Sequence, residues 1–390
     1  MQTRSPRVTV PSYFIGLLSG TSMDAIDAAL VEILDGQVRV MDYRQTPYAS
    51  GLRDALRFAR DGRTMVDLRA IGALDAQLGR AFADAALELL AANSTAAARI
   101  AAIGSHGQTV LHQPAGDTPF SIQLGNPNII AALTDIVTVA DFRRMDMAVG
   151  GQGAPLAPGF HAAVFRRDDA DVAVLNLGGI ANVTVLPAQP RAAVLGFDTG
   201  PANALLDAWA ERHLGRDYDD QGQWGDAGSC SMDLLRVLLQ EPYFEARPPK
   251  STGRELFNVD WLEQRLGPQP PGPQDVQATL LELTSTSIAQ ALHRHAAAVS
   301  ELLVCGGGVH NTALMRRLGA ALPGVNVASS ATRGVSPDAV EAAAFAWLAH
   351  RRLAGLAGNL PSVTGAREPA VLGAVYSPPA RGGDGDRPAG

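Results

Sequence analysis

The chain has 390 residues, room for two domains of ordinary size, and 46% of them are hydrophobic, material for two cores. A formal net charge of −7 excludes the concentrated basic face that a nucleic-acid footprint needs, so no nucleic-acid partner is expected. Two cysteines, Cys230 and Cys305, cannot staple a chain of this length. No stretch approaches the roughly 20 apolar residues that span a bilayer. The apolar run 8–18 is interrupted by Pro11, Ser12 and Gly16, and no small-residue cleavage site follows it. The expectation is a soluble, cytoplasmic protein with no membrane partner. Its basic residues are arginines apart from a single lysine, Lys250.

In chain order, the first ten residues read as a loose tail. Residues 14–33 give an apolar strand, a Gly-Thr-Ser turn and a second strand, with a third strand at 38–43. Apolar residues recur at helical spacing over 64–93, and short strands follow at 100–103, 120–124 and 135–140. The scheme then restarts: 172–186 is again strand, Gly-rich turn and strand. Helices are predicted at 202–214, 276–298, 312–322 and 337–353, with a strand ending at Cys305. The Pro/Gly-rich patch 267–273 reads as a surface loop, and 377–390 has the composition of a disordered tail. Two such openings suggest a duplicated α/β core with a cleft between its halves, although glycine hairpins are common enough for a chance pair.

Six segments could carry chemistry. Ser19-Gly20-Thr21-Ser22-Met23-Asp24 offers glycine, hydroxyls and successive amides to a polyphosphate, or is an ordinary hairpin tip. Gly178 and Gly179, in the second hairpin, occupy the corresponding place. Gly306, Gly307 and Gly308 lie between a strand and a helix, where a turn can pack on adenine or aim amides at a phosphate. Asp198, between glycines at a strand end, can serve as a base or can cap the helix that Pro201 opens; both readings stand. Arg143 and Arg144, beside Asp141 and Asp146 in a glycine-dense run, suit a carboxylate-bearing sugar or a surface salt bridge. Ser105 and Thr109, flanking His106, could supply neutral hydrogen bonds to sugar hydroxyls, His106 itself reading as structural.

A Walker-type loop is excluded, because Lys250-Ser251-Thr252 lacks the upstream glycines and strand. No metal-cage spacing is visible, so magnesium would arrive with a nucleotide.

Taken together, these segments resemble the anhydro-N-acetylmuramic acid kinases of bacteria. The likeness runs from about Phe14 to about Tyr376. It includes GLLSGTSMDAID, IGSHGQT, VADFRRMDMAVGGQGAPLAP, LNLGGIANV, GFDTGPANALLDAW, PPKSTGRELFN and VCGGGVHNTALM, in that order. The resemblance implies an actin/hexokinase-like (ribonuclease H-like) α/β fold of two duplicated domains, about 13–165 and 166–376, between tails 1–12 and 377–390. In that arrangement the late helix could pack back on the first domain. It implies that Ser19 to Ile26, thus Ala25 and Ile26 also, form the ATP-phosphate loop, and that Asp198 is the catalytic base. Ser105, Thr109, Arg143 and Arg144 would meet the sugar, and Glu341 would face the site. ATP with Mg2+ and a homodimeric state are further implications. Met145 stands where some relatives have a third arginine. Leu18 stands where the wider superfamily has an aspartate, so the magnesium-linked carboxylate would be Asp24 or Asp198.

The activity implied is hydrolytic opening of the 1,6-anhydro ring with phosphorylation of the 6-oxygen, in peptidoglycan recycling. The alternatives are a kinase of the same fold acting on another sugar or carboxylate, and a nucleotide-dependent interaction protein of the actin or chaperone type.

Overall fold

The computed structural model describes residues 12–20, 23–60 and 67–380. They fall in two units: the chain up to Leu156 together with Glu341 onward, and Ala157–Val340. The tail expected over the first ten residues lies outside the described residues, as does most of the one expected after 377.

The sheet of the first unit opens with a meander, β1 (Ser12–Ser19), β2 (Ala25–Leu34) and β3 (Gln37–Pro47), each antiparallel to the last. β4 (Ile100–Gln113) lies parallel to β1 on its other side, and β6 (Thr138–Ala140) parallel to β4. β5 (Phe120–Leu124) pairs with the far end of β4, and β12 (Ala374–Tyr376) closes the edge beside β6. In the second unit β7 (Asp171–Leu177), β8 (Ile180–Leu186) and β9 (Leu195–Pro201) repeat the antiparallel meander. β10 (Val299–Cys305) then runs parallel to β7 and β11 (Asn326–Ser329) parallel to β10. The orders β3-β2-β1-β4-β6 and β9-β8-β7-β10-β11 are the same path with the same strand directions. Two coincident hairpins would not reproduce the parallel strands as well. The duplication is real, and the fold is α/β of the actin/hexokinase-like class.

Each sheet is covered by a long helix whose buried positions follow the helical repeat. In Leu68–Ala92 these are Leu74, Leu78, Phe82, Ala85, Ala86 and Leu89. Leu78, Phe82 and Leu89 are wholly enclosed, each worth roughly 1.5–3 kcal/mol of transfer free energy. Asp67 caps this helix by accepting from the Arg69 amide, and Asp75 in its second turn accepts from the Gly125 amide at 2.8 Å. Pro273–His295 plays the same part in the second unit, burying Val276, Leu280, Leu281, Leu283, Ile288 and Leu292.

The late helix, Val340–Leu353, packs so closely on β1 and β4 that a Cβ at Gly16 would lie 1.8 Å from the Ala342 carbonyl oxygen. One at Gly104 would lie 2.0 Å from that of Phe345. Glycine is therefore required at both positions by helix backbone, not by strand conformation.

Three details differ from the expectations. The strand expected at 100–103 continues through Gln113, because β5 pairs with its second half. The polar run after Ala140 is not all loop: Phe142–Ala148 is a short helix, with Phe142 and Asp146 buried. The strand expected at 135–140 is only Thr138–Ala140, since Asp135 takes a left-handed conformation that ends the preceding helix.

Candidate active site

In the first unit the β1–β2 turn is held from below. Met23, buried at φ 58°, donates its amide to the Gly20 carbonyl at 3.3 Å, and Gln108 Nε2 reaches the same carbonyl at 3.3 Å. Ser19 is buried against the Tyr48 hydroxyl. Thr21 and Ser22 lie outside the described residues. Asp24 is exposed, 3.7 Å from Arg57, whereas the side chains of Ala25 and Ile26 belong to the core.

On the same unit a small cavity of about 130 Å³ is lined by Ser105, His106, Gln123, Asp141 and Arg144 among others. The Ser105 hydroxyl is buried there with no hydrogen-bond partner, and a buried hydroxyl without one costs stability unless a ligand or water supplies it. Thr109 Oγ1 accepts from Gln123 Nε2 at 3.0 Å. The two arginines part company. Arg144 is exposed, 3.4 Å from Asp141, the surface pair that the sequence left open. Arg143 turns inward: Nε and Nη2 donate to His106 Nε2 at 3.1 and 2.8 Å, and Nη1 donates to the Gly153 carbonyl at 2.7 Å.

With Nε2 accepting, His106 carries its proton on Nδ1 and donates it to the Gly107 carbonyl at 2.9 Å. Burial, then the Arg143 charge, push its pKa well below the ordinary histidine value, so it stays neutral. Burial likewise lowers Arg143 to about 10, while Glu341 and Asp146 draw it back.

Asp146 anchors the glycine-dense loop. It accepts from the Gly153 amide at 2.8 Å and from Asn359 Nδ2 and Thr364 Oγ1, each at 2.7 Å. Glu341 lies in the first turn of the late helix and is exposed. Desolvation, then the Asp27 carboxylate, push its pKa up, and Arg143 opposes them.

In the second unit the two remaining glycine clusters meet. Asn203 Nδ2 donates to the Leu177 carbonyl at 3.0 Å, and its amide to that of Gly178 at 3.1 Å. A Cβ at Gly306 (φ 80°) would fall 2.3 Å from Asn176 Oδ1, and one at Gly308 would fall 2.5 Å from Leu177 Cβ. Gly307, between them, has nothing within 4 Å. The Asn176 side-chain oxygen is buried among these turns without a partner.

Asp198 sits within β9, opposite Asn182, and the next helix begins only at Asn203. It is therefore not the cap of that helix, which removes the bland alternative. Three residues of strand, on the order of 10 Å, separate it from the Pro201 position beside the Gly178–Gly179 turn. One carboxylate oxygen, Oδ2, accepts from the Thr252 amide at 3.0 Å. Burial raises the Asp198 pKa to about 6. The Thr252 amide and Lys250 oppose that rise, and Glu255 adds to it. The carboxylate is thus poised to exchange a proton near neutrality.

Sequence reasoning assigns Tyr243, Lys250 and Thr252 no role. Tyr243 donates its hydroxyl to the Asp198 carbonyl at 2.8 Å, and Lys250 lies 4.5 Å over the Tyr243 ring. The one signal that could have found them is the chain's single lysine, which the sequence offers only as a failed Walker loop. The larger cavity of this unit, about 580 Å³ beside Leu292, His293, Leu322 and Val325, contains none of the expected site residues.

The family model for anhydro-N-acetylmuramic acid kinase matches residues 12–378. The anhydro-N-acetylmuramic acid kinase of Xylella fastidiosa is 50% identical over 366 residues, covering 93% of this chain and 96% of the relative. That of Coxiella burnetii is 48% identical over 363 residues, covering 93% and 97%. Among solved structures, the activator of the 2-hydroxyisocaproyl-CoA dehydratase from Clostridium difficile aligns at 12% identity and a TM-score of 0.41, covering 86% of this chain and 92% of that one. With nearly its whole described length matched at about half identity, the chain belongs to the anhydro-N-acetylmuramic acid kinase family.

Proposed function

We propose that this protein uses ATP and magnesium to phosphorylate the 6-oxygen of 1,6-anhydro-N-acetylmuramic acid while water opens the internal glycosidic bond. It would work in the cytoplasm as a homodimer, in cell-wall recycling. The observation that carries the reading is Asp198: an enclosed carboxylate with one oxygen tied to an amide and a pKa raised to about 6, in a chain of this family.

Asp198 takes a proton from a water placed against the anomeric carbon. The new bond forms between that water oxygen and the carbon as the bond to the 6-oxygen breaks. The 6-oxygen, gaining charge, takes the γ-phosphoryl group and ADP leaves; the proton on Asp198 passes to solvent. Ordinary glycoside hydrolysis needs a second carboxyl to protonate the leaving oxygen, and here the phosphoryl group replaces that proton.

The residues fit a nucleotide. Gly306 and Gly308 let their turn lie close against Asn176 and Leu177 of the Gly178–Gly179 hairpin, and Asn176 Oδ1 is a buried acceptor without a hydrogen-bond partner beside them. The amides of Gly178, Gly179 and Gly307 would line the phosphates. Magnesium would be bound mainly by phosphates and water. When bound, it neutralises phosphate charge, most of what phosphoryl transfer requires beyond alignment. Asp24 or Asp198 would supply its carboxylate. Ser105, Thr109, Arg143 and Arg144 would hold the sugar, and Glu341 would face the site.

The test is product made in heavy-oxygen water with ATP and analysed by mass spectrometry. Label at the anomeric hydroxyl and phosphate on the 6-oxygen are expected. Phosphorylated product without label would overturn the coupled reaction.

A further inference from the structure

We propose that Tyr243, Lys250 and Thr252 are positioning residues for the proposed base, a strap that ties one Asp198 oxygen down and leaves the other, Oδ1, to take the proton. The inference rests on the reading of Asp198 given above. Three separate contacts make the strap. The Thr252 amide donates to Asp198 Oδ2 at 3.0 Å, the Asp198 amide donates to the Lys250 carbonyl at 3.2 Å, and the Tyr243 hydroxyl donates to the Asp198 carbonyl at 2.8 Å. Lys250 closes the ring: Nζ donates to the Tyr243 carbonyl at 3.1 Å and stands over the Tyr243 ring at 4.5 Å. The Asp198 backbone is thereby held at both its amide and its carbonyl by residues 243–252, and the one carboxylate contact among these goes to Oδ2 and not to Oδ1. The Thr252 hydroxyl is buried beside it with no partner, a polar group left for a water or a sugar hydroxyl to meet.

The experiment measures kcat and both KM values for the full chain carrying Lys250→Gln or Lys250→Arg. Lys250→Gln removes the ammonium that meets the Tyr243 carbonyl and ring, and should lower kcat about tenfold with the ATP KM unchanged, whereas Lys250→Arg, which keeps the cation, should restore most of it. An unchanged kcat in a folded Lys250→Gln protein overturns the proposal. Tyr243→Phe keeps ring and cation but drops the hold on the Asp198 carbonyl. It should lower kcat about tenfold with the ATP KM unchanged, and an unchanged kcat overturns the proposal even if Lys250→Gln does not fold. Asp198→Asn separates the two levels. If it is inactive while the strap variants behave as the unaltered protein, only the strap fails; if it is active, the base assignment fails.

Discussion

Arg143 aims two N–H donors, from Nε and Nη2, at a single atom, His106 Nε2, at 3.1 and 2.8 Å. One of the two guanidinium edges that could clasp a carboxylate in two-pronged fashion is thus already taken by an imidazole. As the proposed sugar contact, Arg143 would use the donors that remain, and His106 would decide where they point. His106→Ala should raise the sugar KM tenfold or more and leave the ATP KM within about twofold, read by steady-state kinetics. Because His106 stays neutral well below its ordinary pKa, sugar binding should show no titration near pH 6.5 arising from it. Such a limb, abolished by His106→Gln, would contradict the buried tautomer.

Asp198 should trade stability for reactivity. Its folded pKa of about 6 lies above the ordinary carboxylate value, so the folded state holds its proton more tightly than the unfolded chain does. That contribution is fully present below about pH 4 and is lost as pH rises through 6. Asp198→Asn keeps an acceptor for the Thr252 amide and carries no charge. It should therefore be more stable than the unaltered protein at pH 8, by about 1–3 kcal/mol, and equally stable at pH 4, read as melting temperatures. Turnover should fall at least a thousandfold with nucleotide affinity retained. Equal melting temperatures at both pH values would mean that the carboxylate is better solvated than its surroundings imply.

The duplicated core was legible because a strand, a Gly-rich turn and a second strand leave a local period in the sequence at both 14–33 and 172–186. Asp198 stood out for the same local reason, a carboxylate between glycines. What lay beyond the sequence was contact between distant segments. Nothing local to Tyr243 or Thr252 says that they reach Asp198, 45 and 54 residues away. Nor does the FRRMD run say that Arg143 turns toward His106 while its neighbour Arg144 faces out. Those choices follow from the short helix Phe142–Ala148, whose Phe142 and Asp146 are buried and so fix which way the arginines face. The extension of β4 was missed similarly, since its second half is held by pairing with β5 and not by its own pattern.

The late helix offers a sharp test of close packing. At Gly16 and Gly104 the obstructing atoms are the backbone carbonyls of Ala342 and Phe345, which no rotamer change can move. Gly16→Ala and Gly104→Ala should each cost about 3 kcal/mol or more, read as the denaturant midpoint. Gly72 is the internal control: it is exposed within Leu68–Ala92, and a methyl group added there would meet nothing within 4 Å. Gly72→Ala should stabilise by about 0.5–1 kcal/mol through helix propensity alone. A mild effect at Gly16 would show that the helix can lift from β1.

The turn Gly306–Gly307–Gly308 separates structural need from ligand need, residue by residue. Gly306 and Gly308 are fixed by protein: a Cβ at either would strike Asn176, Leu177 or both, and Gly306 also has a left-handed φ of 80°. Alanine at these two positions should lower the melting temperature whether or not a nucleotide binds there. A Cβ added at Gly307 would meet no protein atom within 4 Å beyond its chain neighbours, and Gly307 has no positive φ, so the fold accepts a methyl group at that point. If the turn lies flat against the nucleotide, Gly307→Ala should weaken ATP binding tenfold or more in calorimetry while leaving the melting temperature of the free protein unchanged. Unchanged affinity would move the nucleotide away from this turn and leave its glycines explained by packing on Leu177 and Asn176 alone.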